Sequence, residues 1–177
     1  MQIKRIFITG TSGTGKSTIV RNLNSRGIPA IDTDSIGRWR DKETGDLADW
    51  YPSPEDEWPK KIKWHQDHHW ILDAVRFREL LTEGGIKVAA GLAANQNEFA
   101  DLFTTTLLLQ CEEQIFIERI MQREDSSYGK DAAEQQQILR LYKGIEANML
   151  DRGAVPINAN RPLDQVVDEV LSFVVDG

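Results

Sequence analysis

Residues 6–18 read "IFITGTSGTGKST", and this stretch decides the fold. Its first half belongs to "KRIFIT" (4–9), a short β-branched apolar run that stops at Gly10 and reads as a buried strand. Its second half, Gly10-Thr11-Ser12-Gly13-Thr14-Gly15-Lys16-Ser17 followed by Thr18, has the spacing of a loop that cradles phosphates. Glycines let successive backbone N–H groups turn inward around an anion, and a helix starting near Gly15 adds the positive end of its dipole. Lys16 brings a point charge to the outer phosphates, and the Ser17 hydroxyl is suited to Mg²⁺.

Outward from this loop the chain alternates strand and helix. A helix over 15–26 uses Ile19, Val20 and Leu23 as its core face and stops at Gly27. Strands are expected at "IPAID" (28–32), "IKVAAG" (86–91), "TLLLQC" (106–111) and "AVPIN" (154–158). A short helix is expected over 98–103, longer ones over 112–123, 131–152 and 162–175, and a mostly helical stretch from near Glu55 to Leu81. Short apolar strands separated by helices imply an α/β fold, a five-stranded parallel sheet with helices on both faces. Ligands of such sheets lie beyond the carboxyl ends of the strands. That rule selects the loops 10–16, 32–38, 91–97, 119–130 and 158–161.

The 177 residues suit a single domain, 1–177, in which 35–84 is a helical insertion and 124–131 a polar loop tip. Net charge is -7, which disfavours non-specific nucleic-acid binding. Cys111 is the one cysteine, so no intrachain disulfide forms, and the residue suits a small core position. The apolar run at the start breaks at glycine, unlike a signal peptide, and no run reaches the ~20 apolar residues of a membrane span. A cytoplasmic protein with no nucleic acid and no membrane partner, monomeric or homodimeric, is expected.

Taken in order, the phosphate loop, "AIDTD" after the second strand, "ERIMQRE" and "INANRPLDQVVDEVL" resemble the superfamily of small kinases that includes nucleoside monophosphate kinases and shikimate kinase. The resemblance implies a P-loop NTPase fold, ATP and Mg²⁺ as cofactors, a helical cap closing over a small-molecule acceptor and a short lid closing over ATP. It implies that Arg119 packs near the adenine, that Arg123 reaches the phosphates, and that Ala159 and Arg161 border the adenine. From the residues alone, Arg119 and Arg123 stand four apart on one helix and share a face. That face either meets a transferring phosphoryl group or is solvated beside Glu118 and Glu124. Lys130, at the lid tip, either approaches phosphates or is a surface lysine.

The acceptor side stays open between chemistries. Asp32 and Asp34 close the second strand, where the resemblance implies a carboxylate holding Mg²⁺ or the acceptor hydroxyl; either also suits a helix cap. Arg38, Arg40, Arg76 and Arg78 suit an anionic acceptor. "VAAGLAANQN" lacks the acid that closes the third strand in many nucleoside monophosphate kinases, and the glycine triplet of shikimate kinase. Asp32 would then support Mg²⁺, while Asn95, Gln96 and Asn97 would bond a base or sugar, or cap the next helix. All five tryptophans fall at 39–70, either walling a pocket or packing a cap. "KKIKWHQDHHWILDAVRF" (60–77) reads as an amphipathic helix. On it His65, His69 and Asp73 repeat every four residues; the three ligands together are too far apart to share one ion, whereas the pair His65–His69 is not.

The whole is read as an ATP-dependent phosphotransferase, with Lys16, Asp32, Asp34, Arg119 and Arg123 as catalytic candidates. A nucleotide-like acceptor is favoured, a hydroxylated metabolite using Asp32 or Asp34 is the alternative, and a regulatory nucleotide-hydrolysing module is the third. The absence of an Asn-Lys-x-Asp motif argues against a guanine-reading switch.

Overall fold

The computed structural model describes residues 4–48, 50–52, 58–83, 85–124 and 126–175. In chain order they form β1 (Ile6–Thr9), α1 (Lys16–Ser25), β2 (Ala30–Asp32), β3 (Gly37–Asp41), α2 (Trp58–Asp67), β4 (His68–Leu72), α3 (Ala74–Thr82), β5 (Val88–Ala90), β6 (Thr105–Gln110), α4 (Glu113–Gln122), α5 (Ala132–Asp151), β7 (Val155–Asn158) and α6 (Leu163–Val175). Two 3₁₀ turns, Thr33–Ile36 and Gln96–Leu102, fill connections.

The five-stranded sheet runs β2-β5-β1-β6-β7, all parallel. Each inner strand is buried on both faces, which is why it reads as an unbroken apolar run. The period of two then sorts its side chains. Ile6, Ile8, Val88, Ala90, Leu107 and Leu109 face one core, shared with Ile19 and Leu23 of α1, Phe116 and Ile120 of α4 and Val167 of α6. Phe7 and Ala89 face the opposite layer, against Phe77 and Leu81 of α3 and Phe99. Pro156 is tolerated because β7 is an edge strand.

Local devices fix the other edge. α1 ends in a glycine turn: the Gly27 N–H bonds the Asn24 carbonyl and the Ile28 N–H the Leu23 carbonyl, both at 3.0 Å. Asn24 then pairs with the backbone of Ala30, donating to its carbonyl at 2.9 Å and accepting from its N–H at 3.0 Å. The helix end thereby sets where β2 begins.

The insertion differs from its expected form. Its helix does not run through to Leu81, and its expected start near Glu55 lies outside the described residues. α2 stops at Asp67, and His68–Leu72 becomes β4, antiparallel to a strand β3 that the sequence reading did not anticipate. Trp39 and Trp70 stand opposite each other in this ribbon, ring centroids 5.3 Å apart. Gly37 permits the packing: a Cβ there would lie 2.0 Å from the Trp70 ring. Cross-strand aromatic contact of this kind outweighs local helix preference. The break also removes the helix on which the histidine pair was placed. His65 is on α2, His69 on β4, and Asp73 caps α3 by accepting from the Arg76 N–H at 3.0 Å. Among the described residues no three His, Cys, Asp or Glu side chains could hold a metal ion together, and no helix is long and apolar enough to cross a membrane.

Candidate nucleotide and acceptor site

Strand order reverses at β1, and the loop leaving β1 is the phosphate loop. Gly10 (φ +149°) and Gly13 (φ +81°) adopt backbone conformations that a side chain would strain. Both are also pressed from behind. A Cβ on Gly10 would sit 2.8 Å from the Leu109 carbonyl, and one on Gly13 would sit 2.5 Å from that of Phe116. The loop therefore rests on β6 and on α4, the helix that carries Arg119 and leads into Arg123. Thr14 closes the turn through its hydroxyl, which donates to the Thr11 carbonyl at 2.8 Å. No side chain caps the start of α1, and its first turn carries no acid, so its N–H groups remain for an anion.

The loop lines a cavity of about 360 Å³ that also receives Arg21, Asp34, Arg119, Arg123 and Arg161. Ser12, Gly13, Thr14, Gly15, Lys16, Ser17 and Thr18 form its floor. Five basic side chains (Lys16, Arg21, Arg119, Arg123, Arg161) against one acid make a cationic site in a chain of net charge -7. A second cavity, of about 420 Å³, is larger but carries Glu112, Glu113 and Glu146 and no basic residue. Charge therefore favours an anion in the first cavity over the second.

Lys16 donates to the Gly10 and Thr11 carbonyls at 2.6 and 2.8 Å. Burial pulls its ammonium down to about 8, Asp34 and Asp32 hold it up, and Arg123 lowers it further. Arg119 donates to the Ala159 carbonyl at 2.9 Å and reaches the Cys111 sulfur at 3.6 Å, joining α4 to the loop after β7. Arg123 donates to the Ser12 hydroxyl at 3.4 Å, to the Ser126 hydroxyl at 3.3 Å and to the Tyr128 carbonyl, while its Nε is buried without a partner. Arg161 donates to the Asn158 carbonyl at 3.1 Å and pairs with Glu169. A polyphosphate fits this donor set: an orphaned guanidinium N–H, an uncapped helix start and a lysine held by loop carbonyls.

The two aspartates separate. Asp32 turns back on its own chain and accepts from the Asp34 N–H at 3.1 Å, capping the 3₁₀ turn. It is therefore Asp32, rather than Asp34, that takes the capping role. Asp34 lines the cavity and accepts from the Trp70 indole. Desolvation first, and then the neighbouring Asp32 charge, raise its carboxyl; Lys16, Trp70 and Arg123 act the other way.

Four expected acceptor residues lie elsewhere. Arg38 pairs with Asp73 at 3.9 Å and Arg76 with Glu79 at 3.6 Å, both on the exposed outside of the insertion. Neither is among the residues lining the cavity. Asn95 accepts from the Leu72 N–H at 2.9 Å and donates to its carbonyl at 3.0 Å, acting as a strand partner for β4. Gln96 is buried; its Oε1 accepts from the Ala93 N–H at 3.1 Å and from Thr9 at 3.4 Å, and its amide meets the Met149 sulfur at 3.2 Å. Both amides bind the fold itself. Arg21 was missed, although it stands four residues after Ser17 on α1 and so shares its face.

Lys16 couples phosphate binding to pH. Phosphate favours the charged ammonium, so the complex holds a proton that the free protein loses as pH rises through about 8. Nucleotide affinity should be level below that pH and weaken by up to about tenfold per unit above it. ADP titrations at about pH 7 and about pH 9.5 measure this; equal affinities would show that Lys16 carries no such linkage.

The family model of the AAA domain matches residues 6–140. Shikimate kinase from Acinetobacter baumannii in complex with shikimate has a similar structure, with TM-score 0.60, 18% identity, and coverage of 99% of this chain and 94% of that one. A gluconokinase from Sinorhizobium meliloti 1021 gives TM-score 0.56 at 18% identity, covering 98% and 93%. Deoxyadenosine kinase from M. mycoides with bound dATP gives 0.53 at 13%, covering 95% and 97%. No curated protein sequence matches the chain.

Proposed function

The chain belongs to the AAA domain family and has the fold of the phosphate-loop kinases, and on that premise we propose that it transfers the γ-phosphoryl group of ATP to a hydroxyl of a small molecule. The observation that carries this reading is Asp34: a carboxylate inside the same cavity as Lys16, Arg123 and the phosphate loop. A hydroxyl acceptor needs a group to orient it and take its proton, and a carboxyl raised by its surroundings is a better base. A phosphate acceptor needs arginines instead. Arg38 and Arg76 are paired outside the cavity, so support for a nucleoside monophosphate acceptor is weaker.

In the proposed reaction the acceptor oxygen bonds to the γ-phosphorus as the bond from phosphorus to the β–γ bridging oxygen breaks. ADP leaves, and the hydroxyl proton passes to Asp34. The transition state is loose, so stabilising charge matters more than covalent chemistry. Lys16, Arg123 and the N–H groups at the start of α1 supply that charge. Arg119, bridging to Ala159, borders the base of the nucleotide. Mg²⁺, with Ser17 as its protein ligand and Asp34 or Asp32 near by, would neutralise charge on the outer phosphates.

An ADP-release assay over a panel of polyols, sugar acids, nucleosides and nucleoside monophosphates tests the reading. Turnover stimulated by a hydroxyl compound supports it. Stimulation by nucleoside monophosphates alone would replace the acceptor class, and acceptor-independent hydrolysis would favour a regulatory module.

A further inference from the structure

The turn between α4 and α5 was expected to be a polar lid tip. Its Tyr128 and Gly129 pack against neighbouring elements and join two parts of the site. Gly129 is buried, where an added Cβ would lie 2.9 Å from both Ile120 and Ile138, and its N–H donates to the buried carboxylate of Glu134 at 2.8 Å. The preceding residue faces two ways. The Tyr128 ring lies 5.9 Å, centroid to centroid, from His65 of the insertion. His65 bonds the Tyr51 hydroxyl through Nε2 at 3.2 Å and meets the Trp39 ring edge-on at 5.3 Å. The Tyr128 main-chain carbonyl accepts from Arg123, whose guanidinium extends to Ser12 of the phosphate loop. One residue thus touches the aromatic cap with its ring and holds a phosphate-side arginine with its backbone.

We propose that Tyr128 is a positioning residue: its ring contact with the cap fixes the carbonyl that holds Arg123, so that events at the phosphate loop and in the aromatic cap are energetically coupled. The inference rests on the nucleotide site described above. Coupling between two sites is reciprocal, so nucleotide alone must disturb the cap even when no acceptor is present. The chain carries its own reporter of such a disturbance. All five tryptophans fall at residues 39–70, and Trp39, Trp50, Trp64 and Trp70 are not among the residues lining the nucleotide cavity. A second route runs through Asp34, which lines the cavity and accepts from the Trp70 indole. A Tyr128 variant separates the two routes, because it leaves the second in place.

The experiment titrates ADP with Mg²⁺ into the full chain, reading binding by calorimetry and the cap by tryptophan emission. Wild type should bind and change its emission along the same saturation curve. Tyr128→Ala should keep ADP affinity within about threefold and lose most of the emission change, whereas Tyr128→Phe, which keeps the ring, should retain it. His65→Ala cuts the contact from the cap side and should silence the response equally; it serves if Tyr128→Ala fails to fold. An emission change that survives both substitutions assigns the signal to Asp34–Trp70 and overturns the proposal, as does wild-type binding without any change. An absence of binding heat in wild type overturns the nucleotide site, and this inference with it.

Discussion

Lys16→Ala should lower phosphoryl transfer by about a thousandfold or more while the protein stays folded. The size follows from the role. In a loose phosphoryl-transfer transition state negative charge spreads over the transferring oxygens, and a fixed cation in a partly dehydrated cavity is worth far more there than in water. The stability argument points the other way. Lys16 opens α1, where alanine is a good helix former, and removing a desolvated ammonium offsets the loss of its bonds to the Gly10 and Thr11 carbonyls. Melting temperature should therefore move by only a few degrees. Turnover near that of wild type would mean that the loop holds phosphate for some purpose other than transfer.

Asp34→Asn should have the second-largest effect. The asparagine keeps the shape and can still accept from the Trp70 indole, but it cannot take a proton. Loss of a positioned general base typically costs about 10²–10⁴-fold, and the loss should appear in kcat with ATP affinity little changed. Asp32→Asn is the matched control. Its carboxylate already bonds the Asp34 N–H, and an asparagine Oδ1 makes the same cap. It should cost far less than Asp34→Asn. The reverse order would return the carboxylate role to Asp32, as support for Mg²⁺.

The parts of this molecule legible in its sequence are those whose causes are local. Gly10 to Thr18 specify loop and helix start within a dozen residues, and the inner parallel strands announce themselves because both of their faces are buried. The pairing of Arg119 with Arg123 needs only the helical period. The β3–β4 ribbon was hidden because its partners are about thirty residues apart, and because residues 60–77 read as one amphipathic helix. Nothing local says that Trp39 will meet Trp70 over Gly37. Asn95 and Gln96 show a different limit. An amide that bonds a ligand and one that bonds Leu72 or Ala93 are the same residue in sequence, and only the position of β4 decides between them. Tyr128 is legible only in three dimensions, since its ring partner His65 lies on another element.

The central claim is that main-chain amides, Lys16 and Arg123 together grip a nucleotide polyphosphate. Calorimetric titration of ATP with Mg²⁺ into the full chain tests it most directly. The expected result is saturable binding of one nucleotide per chain, weakened at least about tenfold by Lys16→Ala. No measurable heat, or equal affinity in the two proteins, would contradict it.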